Sequence, residues 1–426
     1  MTQTSPLSDP ARPGGGPMPL LLWPWAIAVV ALLVLPHVLT ANSTITILNQ
    51  MAITVIFALS YNMLLGQAGM LSFGHAIYLG FGGFACLHAM NYFQAGGWPV
   101  PLPVLPLFAG LFSLGMAIVI GAFSTRRTGT VFAMISLGVV ELVASFSIVF
   151  YLFFRGGGIG GDRTFSEPFF GVEFIRQIEV YYLIAAWLIL SVAVMYAFTR
   201  TPLGRMANAV RENAERAEFV GYSARWIRFY SCCAAGFFAG VAGGLSALNY
   251  EISTAESLTV EASGTIIMIA FLGGVGVFFG PILGAILFTL LQTVLSMHTD
   301  LWQLYVGILF LAAVMFFPSG LAGLLMLHLP VLKAGRVRQV AWPYVAVIAP
   351  GLVAVAGFAA LIEMVFHLRS TIAGTDGMVV FWIAVQPLNW LPWIVAGICA
   401  LGGFWVCRRN VPPLAAAWQG ATDLRS

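Results

Sequence analysis

Residues 201–221 read TPLGRMANAVRENAERAEFVG and form the longest polar stretch between two apolar ones. On either side lie apolar stretches, at about 180–199 and 229–250, each long enough to cross a hydrocarbon core of roughly 30 Å as a helix. In the whole chain of 426 residues, 60% are apolar and 8% are charged, which is too little charge to cover a water-soluble surface. The composition therefore predicts an all-α polytopic membrane protein.

Further apolar stretches of membrane-spanning length extend outward from this loop in both directions. They lie at about 20–40, 44–65, 71–92, 103–124, 129–153, 262–279, 281–297, 301–317, 343–366 and 388–407. Twelve crossings place both termini on one side, which then holds 15 of the 19 Lys and Arg residues. Because basic loops stay in the cytoplasm, this side is predicted to be cytoplasmic, in a cytoplasmic (inner) membrane.

The last two stretches can be removed without changing this polarity, so they are predicted to be an additional C-terminal helical hairpin. The predicted organisation is a disordered tail, a transmembrane domain that includes the loop at 200–228, a basic cytoplasmic linker, the hairpin and a cytoplasmic tail. These parts cover residues 1–19, 20–327, 328–342, 343–407 and 408–426.

The charge inventory excludes several functional classes. Lys333 is the only lysine, and its neighbours do not form the Gly-Lys-Ser/Thr of a phosphate-binding loop, so any ATPase must be another chain. A net charge of +3 does not indicate nucleic-acid binding, and the five cysteines show no metal-ligand spacing. A membrane enzyme would need a cluster of reactive side chains, and an ion-coupled secondary transporter would need several intramembrane ionisable groups. Glu141 alone lies near the middle of a predicted span.

The polar loop is predicted to be one helix. Thr201 suits the N-cap, Pro202 suits the first position, Leu203–Val220 continue the helix, and Gly221 suits its end. Two interpretations are open at this point. The helix is either a solvated connection or a docking element for a soluble partner.

The sequence of this loop resembles a known family. Residues 201–205, 211–213 and 215–221 are similar to the cytoplasmic loop of LivM-type permeases, the membrane subunits of branched-chain amino acid ABC importers. The wider importer class docks its ATPase on an "E-A-A-x-x-x-G" loop. Glu215, Ala217 and Gly221 match that spacing, and Arg216 replaces the middle alanine. The resemblance continues in order through residues 59–69, 71–76, 236–244, 272–276, 280–285 and 317–323.

This resemblance implies a core of about ten helices in two related halves, of the larger importer type. It implies transport of branched-chain or related small hydrophobic amino acids, although similar permeases take urea, short amides or aromatic acids. Its implied partners are a second, LivH-like permease, two ATPase subunits that bind ATP and Mg, and a periplasmic or extracellular binding protein. It implies no enzyme activity and no cofactor in this chain. The ATPase-coupling residues are then Arg205, Arg211, Glu212, Glu215, Ala217 and Gly221.

Glycine clusters and scattered polar residues mark the candidate translocation pathway. The set Asn62, Ser72 and His75 lies among Gly66, Gly69 and Gly74, and a second cluster contains Gly273, Gly276, Gly280 and Pro281. Broken helices in two halves can line a pathway, whereas glycines spaced by four, such as Gly236, Gly240 and Gly244, favour close helix packing. Both interpretations are open for the two clusters.

Glu141 is expected to face the protein interior, because a charge at the bilayer centre costs about 2.5–3.5 kcal/mol on insertion scales. It is expected to be either protonated or bonded to a hydroxyl such as that of Ser136 or Ser145. A role in the pathway and a purely structural role are both open.

Overall fold

A computed structural model of the chain describes residues 19–96, 101–165, 169, 171–317, 319–333, 337–370, 378–380 and 383–422. The predicted disordered tail lies almost entirely outside the described residues, as do three residues of the basic linker and the last four of the C-terminal tail.

The described residues are overwhelmingly helical. The helices are α1 (Pro19–Val38), α2 (Asn42–Asn62), α3 (Ala76–Gly96), α4 (Leu105–Ser124), α5 (Gly129–Val149), α6 (Tyr151–Phe154), α7 (Gln177–Arg200), α8 (Pro202–Glu212), α9 (Ala214–Phe219), α10 (Ala224–Tyr250), α11 (Val260–Gly273), α12 (Gly280–Ser296), α13 (Trp302–Phe316), α14 (Gly320–Lys333), α15 (Val337–Ser370) and α16 (Trp390–Thr422). Four three-residue strands accompany them: β1 (Gly158–Gly160), β2 (Ile252–Thr254), β3 (Met378–Val380) and β4 (Ile383–Val385).

Among the described residues, seven helices are long and apolar enough to cross a membrane, or eight if the bent pair Trp302–Phe316 and Gly320–Leu329 is one span. Shorter apolar helices occupy Trp25–Val38, Val260–Gly273 and Gly280–Ser296. The predicted all-α polytopic membrane fold is confirmed. Two predicted spans have different bounds: α3 begins only at Ala76 and extends to Gly96, and α11 is shorter than expected because it already ends at Gly273.

The chain divides into two compact units, the first formed by residues up to Met297 and by Leu309–Leu321. Helix α10 is its most buried span, since small residues let other helices approach its backbone. A Cβ atom at Gly236 or Gly244 would lie 2.5 or 2.6 Å from the Cβ of Ala117 or Ala109 in α4. Gly240 meets Ser113 of α4 in the same way, so this glycine track serves helix packing.

The second unit comprises His298–Ile308 and Ala322–Ser426. Its helices α15 and α16 occupy the predicted C-terminal hairpin and extend beyond it at both ends. They pack through small residues: a Cβ at Gly403 would lie 2.7 Å from the carbonyl oxygen of Pro350. Nearer the ends of these helices, the His328 ring of α14 bonds the Tyr344 hydroxyl at 2.8 Å.

Candidate functional site: the polar loop and the helix break beneath it

The polar loop folds as two short helices, α8 and α9, rather than as the predicted single helix. Asn213 separates them with extended backbone angles, φ −156° and ψ 104°. Its side-chain oxygen accepts a hydrogen bond from the Arg216 N–H at 3.0 Å and thereby caps α9. Asparagine favours such a cap over a mid-helix position, which explains the break. The predicted N-cap is confirmed, since the Thr201 hydroxyl accepts from the Gly204 N–H at 3.2 Å.

The two helices turn small apolar residues inward and charges outward. Ala207, Val210 and Ala217 are buried. The side chains of Arg205, Glu212, Glu215 and Arg216 are exposed. At the end of α9 the chain presents two exposed apolar residues, Phe219 and Val220, which are 90% and 71% exposed. Gly221 follows with φ +91°, a left-handed conformation that suits a helix end.

Arg211, at the end of α8, is exposed like the other charged residues of the loop, but its guanidinium also reaches a membrane helix. Its guanidinium Nη1 donates a hydrogen bond to the backbone carbonyl of Gly66, at the end of α2. Gly69 lies against the stem of the same side chain: a Cβ there would be 2.7 Å from Arg211 Cγ. The structure therefore joins a residue predicted for ATPase coupling to the first glycine cluster.

Helix α2 ends in a π-helical turn over Met63–Gln67. Gly69 then adopts φ +69°, and residues 68–75 connect to α3 without continuing the helix. Single π turns occur frequently at functional sites. The side-chain oxygens of Asn62 and Gln67 are buried here without a hydrogen-bond partner among the described residues. The break that the glycines suggested is therefore present.

Side-chain hydroxyls from other elements hold the start of α3. The Phe73 N–H donates to Ser136 Oγ of α5 at 2.9 Å, and the Ala76 N–H donates to Ser263 Oγ of α11 at 3.1 Å. Ser72 Oγ accepts from the Gly74 N–H at 3.3 Å. These bonds satisfy donors that a helix start leaves unpaired, and they connect the break to two further helices.

His75 is fully buried beside this break. Its Nε2 lies 2.9 Å from Ser60 Oγ, and its ring stacks on Phe57 with centroids 5.4 Å apart. Because the Ser60 hydroxyl already donates to the Phe57 carbonyl at 2.7 Å, His75 Nε2 is the donor of this pair. Its Nδ1 has no hydrogen-bond partner among the described residues.

The second glycine cluster forms a backbone-to-backbone contact between α11 and α12. Gly274 ends α11 with φ +107°, and Pro281 lies in the first turn of α12. A Cβ at Gly273 would overlap the Gly280 carbonyl oxygen and lie 3.0 Å from the Gly284 nitrogen. Gly276 has no atom within 4 Å of its Cβ position, so it takes no part in this contact.

The expectation for Glu141 is wrong in its geometry. The side chain is exposed on α5, and neither predicted hydroxyl is its partner. Ser136 donates instead to the Ala133 carbonyl and accepts from Phe73, because its position on α5 faces the helix break. Ser145 is exposed, like Glu141. The acid therefore lies on a face that the described chain does not cover.

At the opposite end of α10, an arginine that the sequence did not single out anchors a loop. Strands β1 and β2 pair antiparallel, and Arg163 follows β1. Its guanidinium donates to the carbonyls of Leu248 and Asn249 at 2.9 and 3.2 Å and lies 3.2 Å from Glu251. Next to it, hydrogen bonds from the Thr164 hydroxyl and N–H hold the pKa of Asp162 below its usual value. An arginine beside a helix C-terminus donates hydrogen bonds to the last carbonyls of the helix and interacts favourably with the helix dipole. The sequence alone does not show that Arg163 is buried there.

Comparisons with known proteins agree with the resemblance drawn from the loop. The family described as "Branched-chain amino acid transport system / permease component" matches residues 43–317. The high-affinity branched-chain amino acid permease protein LivM of Escherichia coli is 28% identical over 318 residues, covering 69% of this chain and 73% of that protein. A probable LivM of Methanocaldococcus jannaschii is 24% identical, covering 62% and 89% of the two chains.

A galactose/methyl galactoside import permease, MglC of Treponema pallidum, is 25% identical over 65% of this chain and 56% of its own length. No solved structure matches the chain. The family match spans well over half of the chain and contains both the polar loop and the helix break. The chain therefore belongs to the family of branched-chain amino acid transport system permease components, the membrane subunits of ABC importers.

Proposed function

We propose that this chain moves branched-chain or related small hydrophobic amino acids through the cytoplasmic membrane, with both termini in the cytoplasm. The proposal rests on the family and on the substrate named for the LivM relatives. The sugar permease among the relatives indicates that similar chains serve other solutes. Urea, short amides and aromatic acids are therefore alternatives, and a ligand screen on the cognate binding protein distinguishes them.

The proposed complex contains a second, LivH-like permease, two ATPase subunits that hold ATP and Mg, and an external binding protein. The observation that carries the proposal is the surface of α8 and α9. Phe219 and Val220 project from a polar loop, flanked by Glu215 and Arg216. An exposed aromatic residue ringed by charges is typical of a protein contact, where the aromatic side chain fills a pocket and charges set its orientation. The loop is therefore the docking surface for an ATPase subunit.

Phe219→Glu is expected to release the ATPase. A buried aromatic anchor is commonly worth 2 kcal/mol or more at an interface, about 30-fold in affinity, and the new carboxylate would be buried without a partner. The measurement is the amount of ATPase that co-purifies with the tagged permease in detergent. Glu215→Arg is expected to act in the same direction by reversing a flanking charge.

Tyr92→Glu is the matched control, since Tyr92 is also an aromatic residue and is 75% exposed, but it lies at the far end of α3. It is expected to retain the ATPase. Full retention by Phe219→Glu and Glu215→Arg, at normal protein levels, would contradict docking on this loop.

The exposed face of α5 supports a second membrane partner. Glu141 lies near the middle of an apolar span and is exposed in the isolated chain. Lipid contact at that depth is costly, so another subunit or a water-filled channel is required beside it. We place the second permease against this face, with Glu141 in the pathway that the two permeases share. Asn62, Ser72 and His75 are the other proposed polar groups of the pathway.

Glu141→Gln is expected to change the transport rate in proteoliposomes severalfold while the complex still assembles, because the amide keeps the shape and removes the charge. Glu141→Leu is expected to weaken association with the second permease, since it leaves an apolar group at a wet interface. Unaltered uptake by Glu141→Gln, or a stabilised complex for Glu141→Leu, would indicate a lipid-facing residue.

A further inference from the structure

We propose that Arg211 is a strut, a side chain that transmits movement of the docking loop (residues 201–221) to the break between α2 and α3. This inference rests on the proposed docking function and gives Arg211 a different role from its neighbours. Arg211 acts by positioning the break, whereas Glu215 and Phe219 contact the ATPase.

The first observation is the direction of the side chain. Its guanidinium Nη1 reaches the Gly66 carbonyl, 145 residues away in sequence. Arg205, Glu212, Glu215 and Arg216 of the same loop form no comparable side-chain bond to a membrane helix among the bonds of the described residues. A charge-assisted bond to a carbonyl is about twice as strong as a neutral one, so this contact is the polar tie between the loop and α2.

The second observation is the backbone conformation at Gly66, whose carbonyl accepts the hydrogen bond from Arg211. Gly66 lies inside the π turn, where the helical ladder is already changing. The neighbouring carbonyls of Leu64 and Leu65 accept from the N–H groups of Met70 and Gly69, both at 3.1 Å. An arginine at a helix C-terminus also stabilises the negative end of the helix dipole. Arg211 therefore takes part in ending α2 at this residue.

The third observation is steric. Gly69 has φ +69°, and the Arg211 stem fills the space where its side chain would be, with 2.7 Å from Cγ and 3.4 Å from Cβ to that position. The arginine is thus held by a hydrogen bond on one side of the turn and by packing on the other. A shift of α8 must move the turn or break the contact.

The fourth observation is what lies beyond the turn. The Phe73 N–H in the segment after the turn donates to Ser136 of α5, and the Ala76 N–H at the start of α3 donates to Ser263 of α11. A displacement of the Gly66–Gly69 turn therefore reaches two further helices without passing through a long flexible segment. The buried side-chain oxygens of Asn62 and Gln67 have no hydrogen-bond partner within the described part of the chain, so they are available for an alternative set of hydrogen bonds.

The test uses the complete complex in proteoliposomes, with binding protein and substrate, and compares Arg211→Ala, Arg211→Lys and Gly69→Ala. Arg211→Ala is expected to keep the ATPase bound and hydrolysing while uptake per ATP falls about tenfold, a size expected for loss of one charge-assisted bond. Arg211→Lys retains a donor for one carbonyl and should recover part of the coupling. Gly69→Ala should uncouple like Arg211→Ala, because its methyl group displaces the arginine from the other side.

Amide hydrogen exchange of the purified variants supplies a readout that does not depend on transport. Arg211→Ala should raise exchange over residues 66–75, whereas Arg225→Ala, which removes another exposed arginine at the start of α10, should leave it unchanged.

Unchanged exchange and coupling in Arg211→Ala would overturn the proposal. Loss of the bound ATPase would overturn it too, since Arg211 would then be a docking contact. Equal loss of folded protein in Arg211→Ala and Arg211→Lys would also overturn it in favour of a structural role. If the wild-type complex lacks ATP-driven uptake, the proposed function is wrong. The exchange result still tests whether Arg211 holds the turn at residues 66–75 in place.

Discussion

Replacing Gly273 with alanine is expected to lower the yield of folded protein about tenfold, since overpacking typically costs 1–3 kcal/mol and about 1.4 kcal/mol is a factor of ten. The added methyl would overlap the Gly280 carbonyl oxygen and crowd the Gly284 nitrogen. These are backbone atoms of α12, so no side chain can rotate away to make space. Helices α11 and α12 would have to separate. The measurement is the height of the monodisperse peak in detergent chromatography, together with its melting temperature.

Gly276→Ala is the matched control for this prediction. It adds the same methyl group three residues later, where no atom lies within 4 Å of the new Cβ position. Its yield and melting temperature should equal those of the wild type. Equal behaviour of the two variants would mean that the glycine contact between α11 and α12 does not hold the fold.

Arg163→Ala is expected to be the most damaging change in the loop between α5 and α7. The arginine side chain is largely buried, and it binds two carbonyls at the end of α10, the Gln177 side chain at 2.9 Å and the Glu251 carboxylate. Hydrogen bonds to charged groups contribute about 1.5–3 kcal/mol each, although Glu251 is 34% exposed and water will replace part of its loss. We expect a large fall in melting temperature and faster proteolysis of residues 155–165. Arg163→Lys should not restore stability, since a lysine cannot reproduce the planar fork.

Arg176→Ala tests whether this effect is specific. Arg176 belongs to the same loop and pairs with Glu179 at 3.4 Å, but its side chain is 81% exposed. An exposed ion pair of this kind contributes about 0–1 kcal/mol. If both substitutions lowered the melting temperature equally, the buried contacts of Arg163 would contribute no more to stability than the exposed ion pair of Arg176.

The sequence predicts well those features that depend only on residue type and on spacing along the chain. Apolar length predicts the membrane helices, because each must cross the same thickness of hydrocarbon. Threonine before proline predicts the start of α8, and the Thr201 cap is present. Clustered glycines predict the break after α2, since Gly69 adopts a left-handed conformation that other residues avoid.

The features that were mispredicted or missed depend on what lies nearby in three dimensions. Asn213 ends α8 because its side chain caps α9, although the local pattern of charges favours one continuous helix. Glu141 faces outward on α5, and which side of that helix packs against its neighbours depends on the tertiary arrangement and not on residue type alone. The ties from Arg211 to Gly66 and from Arg163 to Leu248 join residues far apart in sequence, which periodicity cannot reveal.

The most direct test of the account is purification of the wild-type permease from its native membrane, followed by identification of the bound chains and an uptake assay. We predict a stable complex with a second permease and two ATPase subunits, and amino acid uptake that requires ATP and the binding protein. Uptake by the purified chain alone, without ATP, would contradict the account and indicate a secondary transporter.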